Sequence, residues 1–319
     1  MFFDIINKWE KSDKKKEDKL ILAHEIHQGL MDLKKMRIFL EDSIVDKIEL
    51  SSQGLMLTIK KNKHEIKLYI NEVDQEEMPI SLICNGNYEE QETNIFCKLL
   101  EFYQNDKDVV LFDVGANVGW YSLNACKCMN NISVHAFEPS PITYQRLIEN
   151  FKLNNIPIDK IHNLGFYKEN GVLDFYYDKK RAGASSLKNI QEKDDIDIIN
   201  VNMCMMDDWV RNNRIQSVDI IKCDVEGAEL FVFEGGIETI KKYKPVVFSE
   251  MLRKWSAKFG YHPNDIIDLF EAIGYQCYVI TENEMLRKFD RVDDTTVETN
   301  YFFLHNEKHE QIIKDLVED

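Results

Sequence analysis

The spacing of apolar residues changes twice along the chain. Between Lys14 and Lys47, Leu22, Ile26, Leu30, Leu33, Met36, Leu40 and Ile44 recur at steps of three and four. That spacing draws one apolar stripe along a long helix. Such a stripe either packs on the rest of the protein or zips against a second copy, so a homodimer through this helix is an open alternative. From Ile48 to Cys84 the period shortens to two, in Leu55-x-Leu57-x-Ile59 and Ile66-x-Leu68-x-Ile70, with Lys61-Asn62-Lys63 between them as a hairpin turn. This predicts a small sheet or cap. Tyr88–Tyr103 returns to a helical period, with Ile95, Leu99 and Phe102 on one side.

Beyond Asp108, short apolar runs alternate with helical ones. Strands are predicted at Val109–Asp113, Val134–Glu138, Lys160–Tyr167, Asp219–Asp224, Pro245–Glu250, Gln276–Ile280 and Asn300–His305, with an edge piece at Val172–Tyr177. Helices are predicted at Gly119–Met129, Ile142–Asn154, Ala228–Tyr243 and Pro263–Ile273. Strand–helix alternation of this kind implies βαβ units and an open, doubly wound, mostly parallel α/β sheet. The expected organisation is an extension over residues 1–84 and one large domain over 85–319. Asn189–Ile198 is rich in charge and lacks aromatics, and reads as an exposed loop or lid.

In a doubly wound sheet, ligands sit at the carboxyl ends of the strands, so the residues that end each strand carry the functional information. The first strand ends in Asp113-Val-Gly-Ala-Asn-Val-Gly119. Gly115 lets the backbone turn sharply beside a ligand, and Gly119 permits close helix–strand contact. A dinucleotide fingerprint would need glycine where Asn117 and Trp120 stand, so NAD is disfavoured. Asp113, a carboxylate just before the turn, suits a cationic ligand better than a phosphate. S-adenosylmethionine (SAM), with its ammonium and sulfonium groups, is such a ligand. The second strand ends in Glu138-Pro139, and Glu138 lies 23 residues after Gly115. An acid about 20 residues beyond the turn is placed to receive ribose hydroxyls. The third ends near Gly165, a candidate wall for the adenine.

The fourth strand ends in Lys222-Cys-Asp224-Val-Glu226-Gly-Ala-Glu229 and the fifth in Ser249-Glu250, followed by Arg253 and His262. Asp224, Glu226 and Glu250 are therefore the candidate catalytic residues. A carboxylate there can orient a substrate hydroxyl, accept its proton, or hold a divalent cation that does both. No metal-ligand set is assigned. Glu229 reads as a helix N-terminal acid favoured by the macrodipole.

Composition narrows the partners. A net charge of −16 disfavours nucleic acid or an anionic membrane as the main partner. The one dense basic stretch, Lys11–Lys19, reads as a solvated helix start. No run approaches the ~18 apolar residues of a membrane span. The seven cysteines are irregularly spaced, as reduced core thiols of a cytoplasmic protein would be.

Taken together, Asp113–Gly119, Phe137-Glu-Pro-Ser-Pro141, Ile221–Glu229 and Lys244–Glu250 resemble the FkbM family of SAM-dependent methyltransferases, from about Asn85 to His305. The resemblance implies a class I methyltransferase fold, with seven strands of which one is antiparallel, and O-methylation. It implies that Asp113, Gly115, Ala116, Asn117 and Gly119 cradle the methionine end of SAM, with Asp224 beside them. Glu138 and Pro139 would then hold the ribose. It also brings Gly86–Glu89 and Gly183–Leu187 to the ligand, so Tyr88 and Ser185 are expected substrate contacts, beside Arg253 and His262, which follow the end of the fifth strand. The sequence departs at Gly165, where relatives usually carry alanine. The implied acceptor is a sugar or glycan. The alternatives are a small secondary metabolite such as a polyketide, or a SAM-binding scaffold without catalysis.

Overall fold

The computed structural model describes residues 16–318 except 53, 62–63, 74–77 and 107. Residues 62–63 of the expected turn and most of the basic stretch 11–19 thus lie outside the described residues, while Lys61 ends β2 and pairs with His64. A helix, Lys16–Lys35, runs into a 3-10 turn, Met36–Leu40. The strands that follow are β1 (Val45–Ser51), β2 (Gly54–Lys61), β3 (His64–Tyr69), β4 (Val109–Val114), β5 (Ile132–Phe137), β6 (Ile161–His162) and β7 (Gly165–Phe166). After them come β8 (Gly171–Tyr177), β9 (Asp197–Cys204), β10 (Ile220–Cys223), β11 (Val246–Glu250), β12 (Tyr275–Ile280), β13 (Leu286–Lys288) and β14 (Asn300–His305).

The main sheet has the order β13-β12-β14-β11-β10-β4-β5-β6. Strands β6, β5, β4, β10 and β11 are mutually parallel, and β14 inserts antiparallel between β11 and β12. These are the seven expected strands, with β13 added at the edge by a hairpin. The chain leaves β4 for β5 on one side and later returns through β10 on the other. The switch point therefore lies between the carboxyl ends of β4 and β10. β4 and β10 are buried almost throughout, as strands covered by helices on both faces must be. Register aligns Asp113, Lys222, Phe248 and Phe302 across four neighbouring strands. Phe248 and Phe302 stack with ring centroids 4.4 Å apart, which makes that row apolar away from the switch point.

Several predicted elements differ in detail. The long N-terminal helix ends at Lys35 rather than Lys47. Asp42 takes a left-handed φ of 58°, and Val45 begins a strand whose β-branched residues pair with β2. Along the helical stripe Leu22 is buried, but Ile26, Leu30, Leu33 and Met36 are 39–50% exposed. The predicted strand Lys160–Tyr167 is broken. The side chain of Asn163 donates to the Glu138 and Pro139 carbonyls, and Gly165–Phe166 leaves the main sheet to pair with β9. With β8 these strands form a second sheet, β7-β9-β8. The helix Ala228–Tyr243 is two helices, Glu229–Glu234 and Ile237–Tyr243, split at Gly235-Gly236. A Cβ on Gly235 would stand 2.1 Å from the Tyr167 carbonyl oxygen. Helices Met78–Asn85, Met206–Asn212, Arg253–Phe259 and Glu310–Leu316 were not among the predicted elements. The loop Asn189–Ile198 is less open than its charge suggests: Ile190 is buried, and Lys193 pairs with Asp178 at 2.5 Å.

The small sheet β1-β2-β3 shares a core with the main body, through Leu57, Ile59, Ile66 and Leu68 against the layer of Leu123 and Leu147. Its outer strand is secured by side chains of the helix Pro141–Leu153 and the residue that caps it. Asn150 Oδ1 accepts from the Tyr69 amide at 2.9 Å, and Asn154 accepts from the Lys67 amide at 2.9 Å while donating to the Lys67 carbonyl. Asn150 also donates to the Val118 carbonyl at the glycine turn. Asn150→Ala should therefore remove the bonds to the part-buried Tyr69 amide and the buried Val118 carbonyl and cost about 1–3 kcal/mol. Urea denaturation checks this, and an unchanged midpoint would show that water replaces both bonds.

All seven cysteines are free thiols. Among the described residues, no helix is long and apolar enough to cross a membrane.

Candidate active site

A cleft opens where β4, β5 and β10 end. About 580 Å³ of empty space, part of it continuous with solvent, is lined by Gly115, Asn117, Glu138, Pro139, Gly165, Ser185, Asp224 and Glu226, among others. A smaller inner cavity lies on the other side of the glycine turn, bounded by Tyr88, Glu89, Asp113, Ala116, Tyr121, Lys222 and Asp224. Gly115, Asn117 and Asp224 face both.

The turn is held under tight sterics. Gly115 has a φ of +78°, and a Cβ there would stand 1.8 Å from the backbone oxygen of Asp224. The first strand end therefore touches the fourth through a contact only glycine permits. Asn117 also sits at positive φ, 49°, and its Oδ1 is buried without a hydrogen-bond partner. An orphaned acceptor of this kind awaits a donor from a ligand or water. Gly119 packs instead of lining either cavity, its absent Cβ leaving room for Leu147 and Phe151. Asp113 is 2% exposed, and its Oδ2 accepts from both the amide and the hydroxyl of Ser122. One of its oxygens thus secures the helix Trp120–Cys128, a structural duty beside any ligand contact.

Glu138 is 6% exposed and receives the amides of Asn117 and Ser140 at 3.1 and 3.0 Å. Burial raises its pKa to about 7, despite the lowering effect of those two amides. Asp224, Glu226 and Glu250 each bring a carboxylate oxygen within 4.8 Å of the others. Burial pushes Glu226 and Glu250 well above the carboxylate range, and repulsion from Asp224 adds to it. These two acids therefore favour the neutral form, and a cation brought to the cleft would favour the charged one. Glu229 stands apart from them. Its Oε1 accepts the amides of Val225 and Gly227, and its Oε2 accepts from Tyr261, so it braces the loop that carries Asp224.

Two groups in the inner cavity were given no role from the sequence, although Glu89 ends the stretch Gly86–Glu89 expected near the ligand. Glu89, at a left-handed φ of 41°, accepts from the Tyr121 hydroxyl at 2.6 Å. Lys222 is 2% exposed and lies 3.3 Å from Asp224 Oδ2. A charged residue inside the apolar run Ile220-Ile221-Lys222-Cys223 was the available signal. Tyr88 borders the inner cavity and Ser185 the outer one, where its hydroxyl accepts from the Asp178 amide. The two remaining expected contacts line neither cavity. Arg253 pairs with Asp294 at 2.6 Å, and the exposed His262 caps the helix Pro263–Glu271 through Nδ1. The chain leaves β11 through Met251 and Leu252 and enters the helix Arg253–Phe259, whose Trp255 and Phe259 pack against Gly227.

The profile of the Methyltransferase FkbM domain matches residues 113–277, a little over half of the chain. The chain belongs to the FkbM methyltransferase family. Curated relatives include "Hexuronic acid methyltransferase AglP" of Haloferax volcanii, 28% identical over 49% of this chain and 61% of that protein. "2-O-methyltransferase NoeI" of Sinorhizobium fredii is 27% identical over 42% and 60%. "31-O-demethyl-FK506 methyltransferase FkbM" of Streptomyces tacrolimicus is 24% identical over 40% and 58%. The chain spans about three-fifths of the length of these relatives. The family's matched segment begins at Asp113 and takes in the strand-end carboxylates Glu138, Asp224 and Glu250 and the glycine turn between β4 and its helix.

Proposed function

We propose that this FkbM-family protein transfers the methyl group of SAM to a hydroxyl of a sugar or glycan. The observation that carries the reading is the cleft at the β4–β10 switch point. It joins a glycine turn, a buried acid at the ribose distance and an accessible carboxylate, Asp224. The residues present fit SAM: the orphaned Asn117 Oδ1 offers an acceptor, and the crowded carboxylates favour a cationic group. Asp113, Gly115, Ala116 and Asn117 would hold the methionine end, Glu138 and Pro139 the ribose, and Gly165 the adenine side. Bound SAM supplies an electrophilic methyl on a sulfonium. Asp224, 30% exposed at its side chain, is reachable by an acceptor and would orient its hydroxyl and take its proton. Glu226, which lines the cleft, and Glu250 beside it would position the acceptor by hydrogen bonding, with Tyr88 on the inner cavity and Ser185 on the outer one. Much of the rate would come from alignment and water exclusion.

The relative named for a hexuronic acid favours a sugar acceptor, and the one named for 31-O-demethyl-FK506 supports a small secondary metabolite as the second reading. Incubation with methyl-labelled SAM and a panel of sugars, uronic acids and polyketides decides between them. Label in no acceptor would sink both readings and leave a SAM-binding scaffold.

Glu138 gives the cofactor reading its own check. Ribose hydroxyls donate to the carboxylate form, so binding of S-adenosylhomocysteine (SAH) near pH 6.5 should release a substantial fraction of one proton. Calorimetry in two buffers of different ionisation enthalpy reads this directly, and Glu138→Gln should abolish it. Without ligand, the raised value makes the neutral acid the favoured form. Its share of stability is present below about pH 4.5 and is lost as pH climbs through about 7.

A further inference from the structure

Lys222 is the one charged residue in β10, and it is as buried as its apolar neighbours. A lysine taken out of water normally loses its proton. Here burial works to lower the pKa, but the nearby acids, Asp224 foremost, outweigh it, and the value lies above that of ordinary lysine. The side chain therefore stays an ammonium and cannot serve as a proton acceptor. Its surroundings fix where the charge sits. The Nζ lies 4.9 Å from the Tyr121 ring centre and 4.7 Å from that of Phe248, and 3.3 Å from Asp224 Oδ2. Among the described residues, Asp224 is its one hydrogen-bond and ion-pair partner. Both rings are themselves held. Phe248 stacks on Phe302, and Tyr121 donates to Glu89.

Register explains the reach. Lys222 pairs with Asp113 on one side and Phe248 on the other, so its stem lies in the row that crosses beneath the switch point. Asp224, two residues on, leaves the strand at the cleft mouth. The lysine thus approaches from inside the protein the same carboxylate that an acceptor would approach from outside.

We propose that Lys222 is a positioning residue: its ammonium, fixed between the Tyr121 and Phe248 rings, holds the Asp224 carboxylate in the orientation used for methyl transfer. It also offsets the charge of the surrounding acids. This rests on the reading of Asp224 given under Proposed function.

A double-mutant cycle on the full chain tests it, with Lys222→Met, Asp224→Asn and the double variant. Lys222→Met should lower kcat by about 10- to 100-fold and change KM and SAH affinity less than about threefold. In the Asp224→Asn background the same substitution should lower kcat less than about twofold further, since no carboxylate is left to hold. Losses that multiply, or a Lys222→Met enzyme with wild-type kcat, would overturn the proposal. If wild type transfers methyl to no acceptor, the functional reading has failed, and the same cycle is run on the unfolding equilibrium. There, coupling of at least about tenfold in the equilibrium constant supports the Lys222–Asp224 contact, and additive effects refute it.

Discussion

Asp224→Asn should lower turnover by about two to four orders of magnitude while moving SAH affinity less than about threefold. The amide keeps the size and one acceptor of the carboxylate but has no basicity and no charge. A hydroxyl is a poor nucleophile at neutral pH, so it loses most from the absence of a group to orient it and take its proton. The alternatives nearby are weak substitutes. Without Asp224 its repulsion of Glu226 and Glu250 is gone, but burial, the larger cause, still pushes both toward the neutral form, and a neutral acid accepts no proton. Glu229 is occupied by two amides and a tyrosine. Single-turnover transfer from labelled SAM, beside calorimetry with SAH, separates chemistry from binding. Unchanged turnover would remove Asp224 from the mechanism, and lost SAH affinity would move it to cofactor binding.

Gly115→Ala should be the most damaging single methyl group in the protein. The new Cβ would stand 1.8 Å from a backbone oxygen, and the φ of +78° is one that L-residues rarely adopt. The obstacle is main chain between two strands of the same sheet, so relief requires moving β4 or β10. A cost of about 3 kcal/mol or more is expected, combining overpacking with backbone strain. SAH binding should be lost even in the fraction that folds, because the turn and Asp224 would separate. Gly119→Ala is the informative contrast. Its Cβ would meet Leu147 Cδ1 at 2.7 Å, the far end of a flexible side chain, although its φ of +93° adds strain as well. The two variants compared by thermal denaturation should rank Gly115→Ala as clearly worse, and the reverse order would refute the close approach of β4 and β10.

The parts legible in the sequence were those fixed by local pattern. Buried parallel strands announce themselves as apolar runs, and Val109–Val114 and Ile220–Cys223 did. Residue types at strand ends placed Gly115, Asn117, Glu138, Asp224 and Glu226 on one cleft, because in this architecture the strand end is the cleft. Arg253 and His262 follow a strand in the same way, yet the path out of β11 carries both elsewhere. That path is set by packing of the helix Arg253–Phe259, which periodicity did not reveal. β9 was hidden for another reason. Asp197–Cys204 is half-exposed and joins β7 and β8 by pairing over long sequence distance, so its pattern is not that of a core strand. Lys222 was visible as a charge in an apolar strand, but which charges and rings gather around it is a matter of sheet order and register.

The asparagine clamp on β3 bears on how the protein behaves in concentrated solution. β3 is an outer strand of a three-stranded sheet, and its amides at Lys67 and Tyr69 would otherwise face outward as a ready template for a strand from another molecule. Asn150 and Asn154 occupy those groups with side chains, which cannot propagate a ladder. The protein thereby closes the β3 edge without a further strand, and at that edge the barrier to pairing with another molecule is two amide side chains one helical turn apart.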